Sequence, residues 1–161
     1  MTLPETVRRK IAEWRPAGEG RHVFVIPDEG TGWTVAITAD CCDDVGCRLW
    51  EISLQSGTSA ASDAEALAGW ARRAAERVTG LLEGLKVVEV DPTRNEALLR
   101  SDAPAWQGDD VAYYEAILNG AGRATVQRFR GSRQPGQRRE QTAFSLTHDA
   151  LAKLVGDLVR E

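Results

Sequence analysis

The stretch that most constrains this chain runs over residues 62–84. Leu67, Trp70, Ala71, Ala74, Val78, Leu81 and Leu82 recur there at intervals of three and four, while Arg72, Arg73, Glu76 and Arg77 fill the other side. That spacing predicts an amphipathic helix of about five turns with one face to bury. Ser62 followed by Glu65 has the spacing of a capping box, and Gly80 and Gly84 mark where the helix weakens and stops. On both flanks the hydrophobic period falls to two, the period of strands. The helix therefore has a sheet to lie on.

Upstream, residues 23–26 form an apolar run before the turn-rich segment at 27–32. Trp33, Val35, Ile37 and Ala39 then alternate with Thr34, Ala36 and Thr38, which predicts a hairpin. Residues 40–46 read as a loop, and Trp50, Ile52 and Leu54 alternate with Glu51 and Ser53 in a third strand. Residues 4–14 read as a short helix with Pro4 in its first turn and Val7, Ile11 and Trp14 on one face. Residues 56–62 are small and polar, a run-in to the central helix.

Downstream, residues 85–90 and 96–100 can pair across the turn at 91–95, and 111–118 with 124–130 across 119–122. Trp106 falls in the loop between these hairpins. Residues 140–146 return across 131–137, and Thr147 can cap a last helix bearing Leu151, Leu154, Val155, Leu158 and Val159. Strands that come in hairpins, not singly between helices, predict an α+β fold: a mainly antiparallel β-sheet with amphipathic helices packed on one face. The 161 residues suit a single domain, 1–161. A β-β-β-α order occurs twice, at 22–83 and 85–160, so a pseudo-repeat is suggested by order alone, without residue-level identity between the halves.

Composition excludes several classes. A net charge of −4 and a pI near 5.3 give no overall attraction for nucleic acid or an anionic membrane. The aliphatic-aromatic run at 23–26 is far too short to span a bilayer, so no membrane association is expected. Residues 1–10 lack the apolar core of a secretion signal, and three cysteines make an odd count. Both point to reduced thiols and a cytoplasmic location.

Three constellations carry candidate chemistry. Cys41, Cys42 and Cys47 share one short loop with Asp40, Asp43 and Asp44, and His22 lies near if the first hairpin forms. Thiolates and imidazole are zinc ligands, although no CxxC pair is present, and Cys41 and Cys42 would point apart if the strand continues through them. A cysteine–histidine enzyme would need one of these thiols beside His22 or His148, the latter in the first turn of the last helix. The bland alternative is a polar turn with one or two cysteines packed as small hydrophobes. Arg123, Arg128, Arg130, Arg133, Arg138 and Arg139 fall within seventeen residues that contain no acid. On a β-ribbon they would suit phosphates, with Tyr113, Tyr114 or Phe129 for stacking, or they would serve as a solvated, aggregation-blocking face. Trp106 either folds over the edge of the core or stands out as an anchor for a partner, while Trp14, Trp33, Trp50 and Trp70 lie on apolar faces and read as packing.

No GxSxG, HExxH, SxxK, GxGxxG or P-loop pattern occurs, so no cofactor is expected. The alternation of hairpins and amphipathic helices resembles that of small adaptor and chaperone-like domains, a likeness of architecture only. The reading favoured by the missing motifs is a non-enzymatic protein-binding module, self-association included, with Trp106, Arg128, Arg130 and Arg133 at the contact. The alternatives are a nucleic-acid-binding ribbon at 123–139 and a metal-dependent or thiol enzyme at Cys41, Cys42 and Cys47.

Overall fold

The computed structural model describes residues 1–58 and 63–159. Helix α1 (Leu3–Glu13) precedes a meander of β1 (His22–Asp28), β2 (Trp33–Cys42) and β3 (Gly46–Ser56). Helix α2 (Ala64–Arg77) leads to β4 (Leu85–Asp91), β5 (Glu96–Ser101), β6 (Ala105–Gln107), β7 (Asp110–Asn119), β8 (Arg123–Ser132), β9 (Glu140–Thr142) and β10 (Phe144–Thr147). Helix α3 (His148–Leu158) closes the fold. Among the described residues the ten strands form one sheet in which every pairing is antiparallel. The main path is β1-β2-β3-β8-β7-β5-β4, with β10 on β3, β6 on β7 and β9 on β8. The fold is α+β, and the three helices lie on one face of the sheet.

The core fills the space between that face and the helices. Val35, Ile37, Ile52, Leu54, Leu99, Leu118 and Val126 come from the strands, and Val7, Ile11, Leu67, Trp70, Leu151 and Val155 from the helices. Trp70 closes the layer with a polar handle, its indole N–H donating to the Leu158 carbonyl at 3.0 Å. Close packing of α1 on α3 needs Gly156, because a Cβ there would lie 2.8 Å from Pro4 Cγ. No helix among the described residues is long and apolar enough to cross a membrane.

The helix ends follow cap chemistry. Thr2 and Glu5 form a reciprocal capping box on α1, and Thr147 accepts the Ala150 N–H on α3. On α2 the cap is Asp63, accepting from Ala66 N at 2.7 Å; Ser62, the expected cap, lies outside the described residues, as does most of the expected run-in. The central helix is also shorter than its periodicity suggests. It stops at Arg77, and Leu82 is 83% exposed although Val78 and Leu81 remain buried. Beyond the helix the chain drops the Glu83 carboxylate onto Arg128, at 2.9 and 3.3 Å, and onto the Ser101 hydroxyl at 3.0 Å.

The largest departure from strict alternation lies in the β2–β3 pair. Register is regular from Trp33↔Ser56 to Thr38↔Glu51, resumes at Ala39↔Leu49, and shifts again before Cys41↔Arg48. Trp50 and Asp40 are thus extra residues, one on each strand, the arrangement of β-bulges. The two extra residues satisfy each other: the Trp50 indole N–H donates to Asp40 Oδ1 at 2.6 Å, and Arg48 also bonds the Asp40 carboxylate. The bulges invert the phase of everything beyond them. Trp50, expected on the core face, lies on the open face with the Arg21 guanidinium 3.7 Å above its ring, while Leu49 and Cys47 turn inward. Residues 105–107, expected as loop, form β6, and the expected strand at 140–146 breaks at Ala143 into two short strands on different neighbours.

Candidate thiol and metal centre

Strand β2 runs on through Cys42, so the expected loop at 40–46 shrinks to a turn at residues 43–45. Asp43 builds that turn. Its Oδ1 accepts from Val45 N at 2.8 Å and Gly46 N at 3.0 Å, and its own N–H donates to the Gly46 carbonyl. Donation by the Gly46 and Val45 amides holds the Asp43 carboxyl below its ordinary range. The turn places Cys42 directly opposite Cys47, and the two form a disulfide. The three cysteines expected as reduced thiols are therefore one pair and one exposed thiol, Cys41. Alternation after the bulge explains the split: Cys42 and Cys47 face the core, and Cys41 points away from it.

The third member comes from the far end of the chain. Strand β10 pairs with the start of β3, Thr147 opposite Gly46, and α3 begins at the next residue. This approach requires glycine at 46, since a Cβ there would lie 2.3 Å from the Leu146 carbonyl oxygen. His148 N then donates to the Val45 carbonyl at 3.0 Å, which sets the imidazole over the cysteine pair. Nε2 of His148 is 3.8 Å from Cys42 Sγ, and the Ile11 carbonyl at the end of α1 is 3.7 Å from the same sulfur. Among the described residues, Cys42, Cys47 and His148 are the group of ligand-bearing side chains whose atoms converge, all within 4.8 Å of one another. A cleft of about 390 Å³ adjoins them, with Cys47 and Cys41 in its wall together with Val45, Gly46, Arg48 and Leu146.

The structure assembles this centre differently from the sequence reading. Cys42 and Cys47 belong to it; Cys41 is exposed beside it. His22 does not join: it lies opposite Ala39, ahead of the bulge, and its Nε2 is 3.3 Å from the Gly18 carbonyl. His148 takes the place foreseen for His22. The only sequence signal for it was its role as the second imidazole available to a thiol.

The arginine ribbon forms as expected, with β8 paired to β9, but its charges are shared out. Arg128 faces the core, where it is 7% exposed, bound to Glu83 and lying 4.2 Å from the Tyr114 ring. It is therefore not on the contact surface to which the sequence assigned it. Arg139 and Arg100 both bind the buried Glu115 carboxylate, at 2.5 and 3.2 Å, and that carboxylate holds Arg139 further into its charged form. Arg130 faces Asp110 at 3.7 Å in solvent, and Arg133 stacks on Trp106 at 3.9 Å. Trp106 is 49% exposed on β6 and does not fold over the core edge.

No family model, no curated protein and no solved structure matches this chain.

Proposed function

We propose that this protein works through its cysteine–histidine centre, and that the reduced pair Cys42 and Cys47 with His148 holds a zinc-type ion. The observation that carries this reading is the convergence of two sulfurs and one imidazole nitrogen within 4.8 Å at a single turn. Zinc–sulfur and zinc–nitrogen distances of about 2.3 and 2.0 Å put tetrahedral neighbours roughly 3.5 Å apart. The 3.8 Å between Cys42 Sγ and His148 Nε2 is already near that spacing. Three protein ligands leave one position open, and Cys47 forms part of the wall of the adjoining cleft. A bound ion of this kind supplies Lewis-acid chemistry at its open position. The chain's own part is to set the ligands: Asp43 locks the turn, Gly46 admits β10, and the His148 amide holds the start of α3 against Val45.

A thiol nucleophile activated by histidine is less well supported. The sulfur in reach of His148 is that of Cys42, which is buried and does not line the cleft. The test is metal content of protein purified without chelator and fully reduced. One zinc per chain is expected, lost on Cys42→Ser, Cys47→Ser or His148→Ala and retained on His22→Ala. A reduced protein that takes up no zinc would overturn the reading.

A second reading is a protein contact at β6–β8, supported by the half-exposed Trp106 under Arg133. Sedimentation of the purified chain tests its self-associating form. Trp106→Ser should lower the association, and identical profiles for the two proteins would remove it.

A further inference from the structure

The sheet has two open edges. Among the described residues, β1 and β4 end the main path with one neighbour each. An unpaired edge offers its N–H and C=O groups to any extended chain, and bulges and lysines are the usual means of blunting it. β4 is blunted in this way: its register on β5 shifts at Val88, and Lys86 stands close by. β1 is not. It pairs with β2 in unbroken register from His22↔Ala39 to Asp28↔Trp33, and its Val23 and Val25 are 64% and 54% exposed. The Asp28 carbonyl accepts the Gly32 N–H across the hairpin. By antiparallel alternation Phe24 and Ile26 then also turn their main-chain groups to β2, and those of Val23, Val25 and Pro27 lie on the outer edge. Pro27 falls where its missing N–H takes nothing from the β1–β2 ladder.

The edge is also oppositely charged at its ends, with Arg21 and His22 at one and Asp28 and Glu29 at the other. We propose that β1 pairs antiparallel with β1 of a second copy of this chain, about a two-fold axis at Val25, so that two sheets become one. In this register Val25 meets Val25, Val23 meets Pro27, His22 lies opposite Asp28 and Arg21 opposite Glu29. The Val25 residues exchange main-chain bonds across the axis, and each Val23 N–H donates to the Pro27 carbonyl of the other copy. A slip of two residues either way keeps the symmetry but sets neither acid opposite a base. The charges thus select the edge's own sequence as its partner. This surface is separate from the contact at Trp106, which lies on β6.

Sedimentation of the full chain over a concentration series should show a monomer–dimer equilibrium. Val25→Lys sets ammonium groups face to face at the axis and should abolish the dimer without changing the far-ultraviolet spectrum. Arg21→Glu and Glu29→Arg should each weaken it about tenfold, because like charges then meet on both sides of the axis. Mixing those two variants should restore it, since every such contact then joins opposite charges. Loss of the Arg21 stacking on Trp50 cannot produce that rescue. Val87→Lys on β4 and Trp106→Ser should leave the dimer intact. A wild-type chain that stays monomeric, a dimer that survives Val25→Lys, or a mixture no tighter than its components would overturn the proposal. Loss of the dimer on Trp106→Ser would overturn it too, by moving the contact to β6–β8. If Val25→Lys does not fold, the mixing experiment decides alone.

Discussion

The cysteine turn and the arginine ribbon are the two densest clusters of functional residue types in the chain, and the fold treats them in opposite ways. At the turn, residues separated by more than a hundred positions are gathered: Cys42, Cys47 and His148 converge where β2, β3, β10 and α3 meet. At the ribbon, residues adjacent in sequence are dispersed. Its strand phase sends Arg128 into the core to Glu83, while Arg139 and Arg133, in the connection between β8 and β9, lie over Glu115 on the other side of the sheet and over Trp106. Density along a chain says little about density in space when part of a cluster lies in a strand, whose phase fixes its face, and part in the loop that leaves it.

The largest expected effect tests the dispersal. Arg128→Ala leaves the Glu83 carboxylate buried without its main partner, and loss of one member of a buried pair costs about 3–5 kcal/mol. Arg130→Ala removes an exposed pair at 3.7 Å and should change stability by less than about 0.5 kcal/mol. Urea midpoints of the two variants measure the difference, and similar midpoints would contradict the buried role of Arg128. The next effect tests the gathering. Opening the short disulfide loop should cost on the order of 2 kcal/mol in the chain-entropy account. Zinc at roughly one hundred times its Kd should return about 2.7 kcal/mol to the reduced protein and nothing to the oxidised one. Thermal unfolding with and without zinc, in both redox states, reads this directly.

A smaller effect isolates the approach of β10. Gly46→Ala forces the Leu146 backbone away from the turn, and overpacking of this kind costs about 1–3 kcal/mol. Zinc affinity should fall with it, although no ligand has been touched. Unchanged zinc affinity would show that the β10 contact does not position His148. The smallest effect is the pH dependence of the turn. Because the Asp43 carboxyl is held below its ordinary value, its contribution is complete above about pH 4 and is lost as pH falls through the lowered folded value. Wild type should therefore lose stability more steeply than Asp43→Ala as pH falls below about 4, by chemical denaturation at each pH. Parallel profiles would show that the turn does not depend on this carboxylate.

Much of the architecture was legible because it follows from local rules. Period-two stretches gave strands, three-and-four spacing gave helices, and Thr147 capped α3 as its side chain predicts. The errors cluster where a local rule met a long-range partner. Residues 78–82 carry helical spacing, yet the chain leaves the helix there and Glu83 reaches Arg128 forty-five residues away. Residues 105–107 have no strand period of their own, yet they pair with the start of β7.

The sequence by itself determined the alternation of hairpins and helices, the antiparallel class and most of the core, since hydrophobic period and turn chemistry act within a few residues. Only the tertiary structure decided which cysteine faces inward and which histidine meets it. Paired bulges at Asp40 and Trp50 shift the phase by one residue on each strand, and one residue is enough to exchange the faces of Cys41 and Cys42. His148 arrives by β10, through a contact that only the missing side chain of Gly46 permits. Neither the phase shift nor that approach has a signature in the spacing of residues, because both are settled by partners distant in the chain.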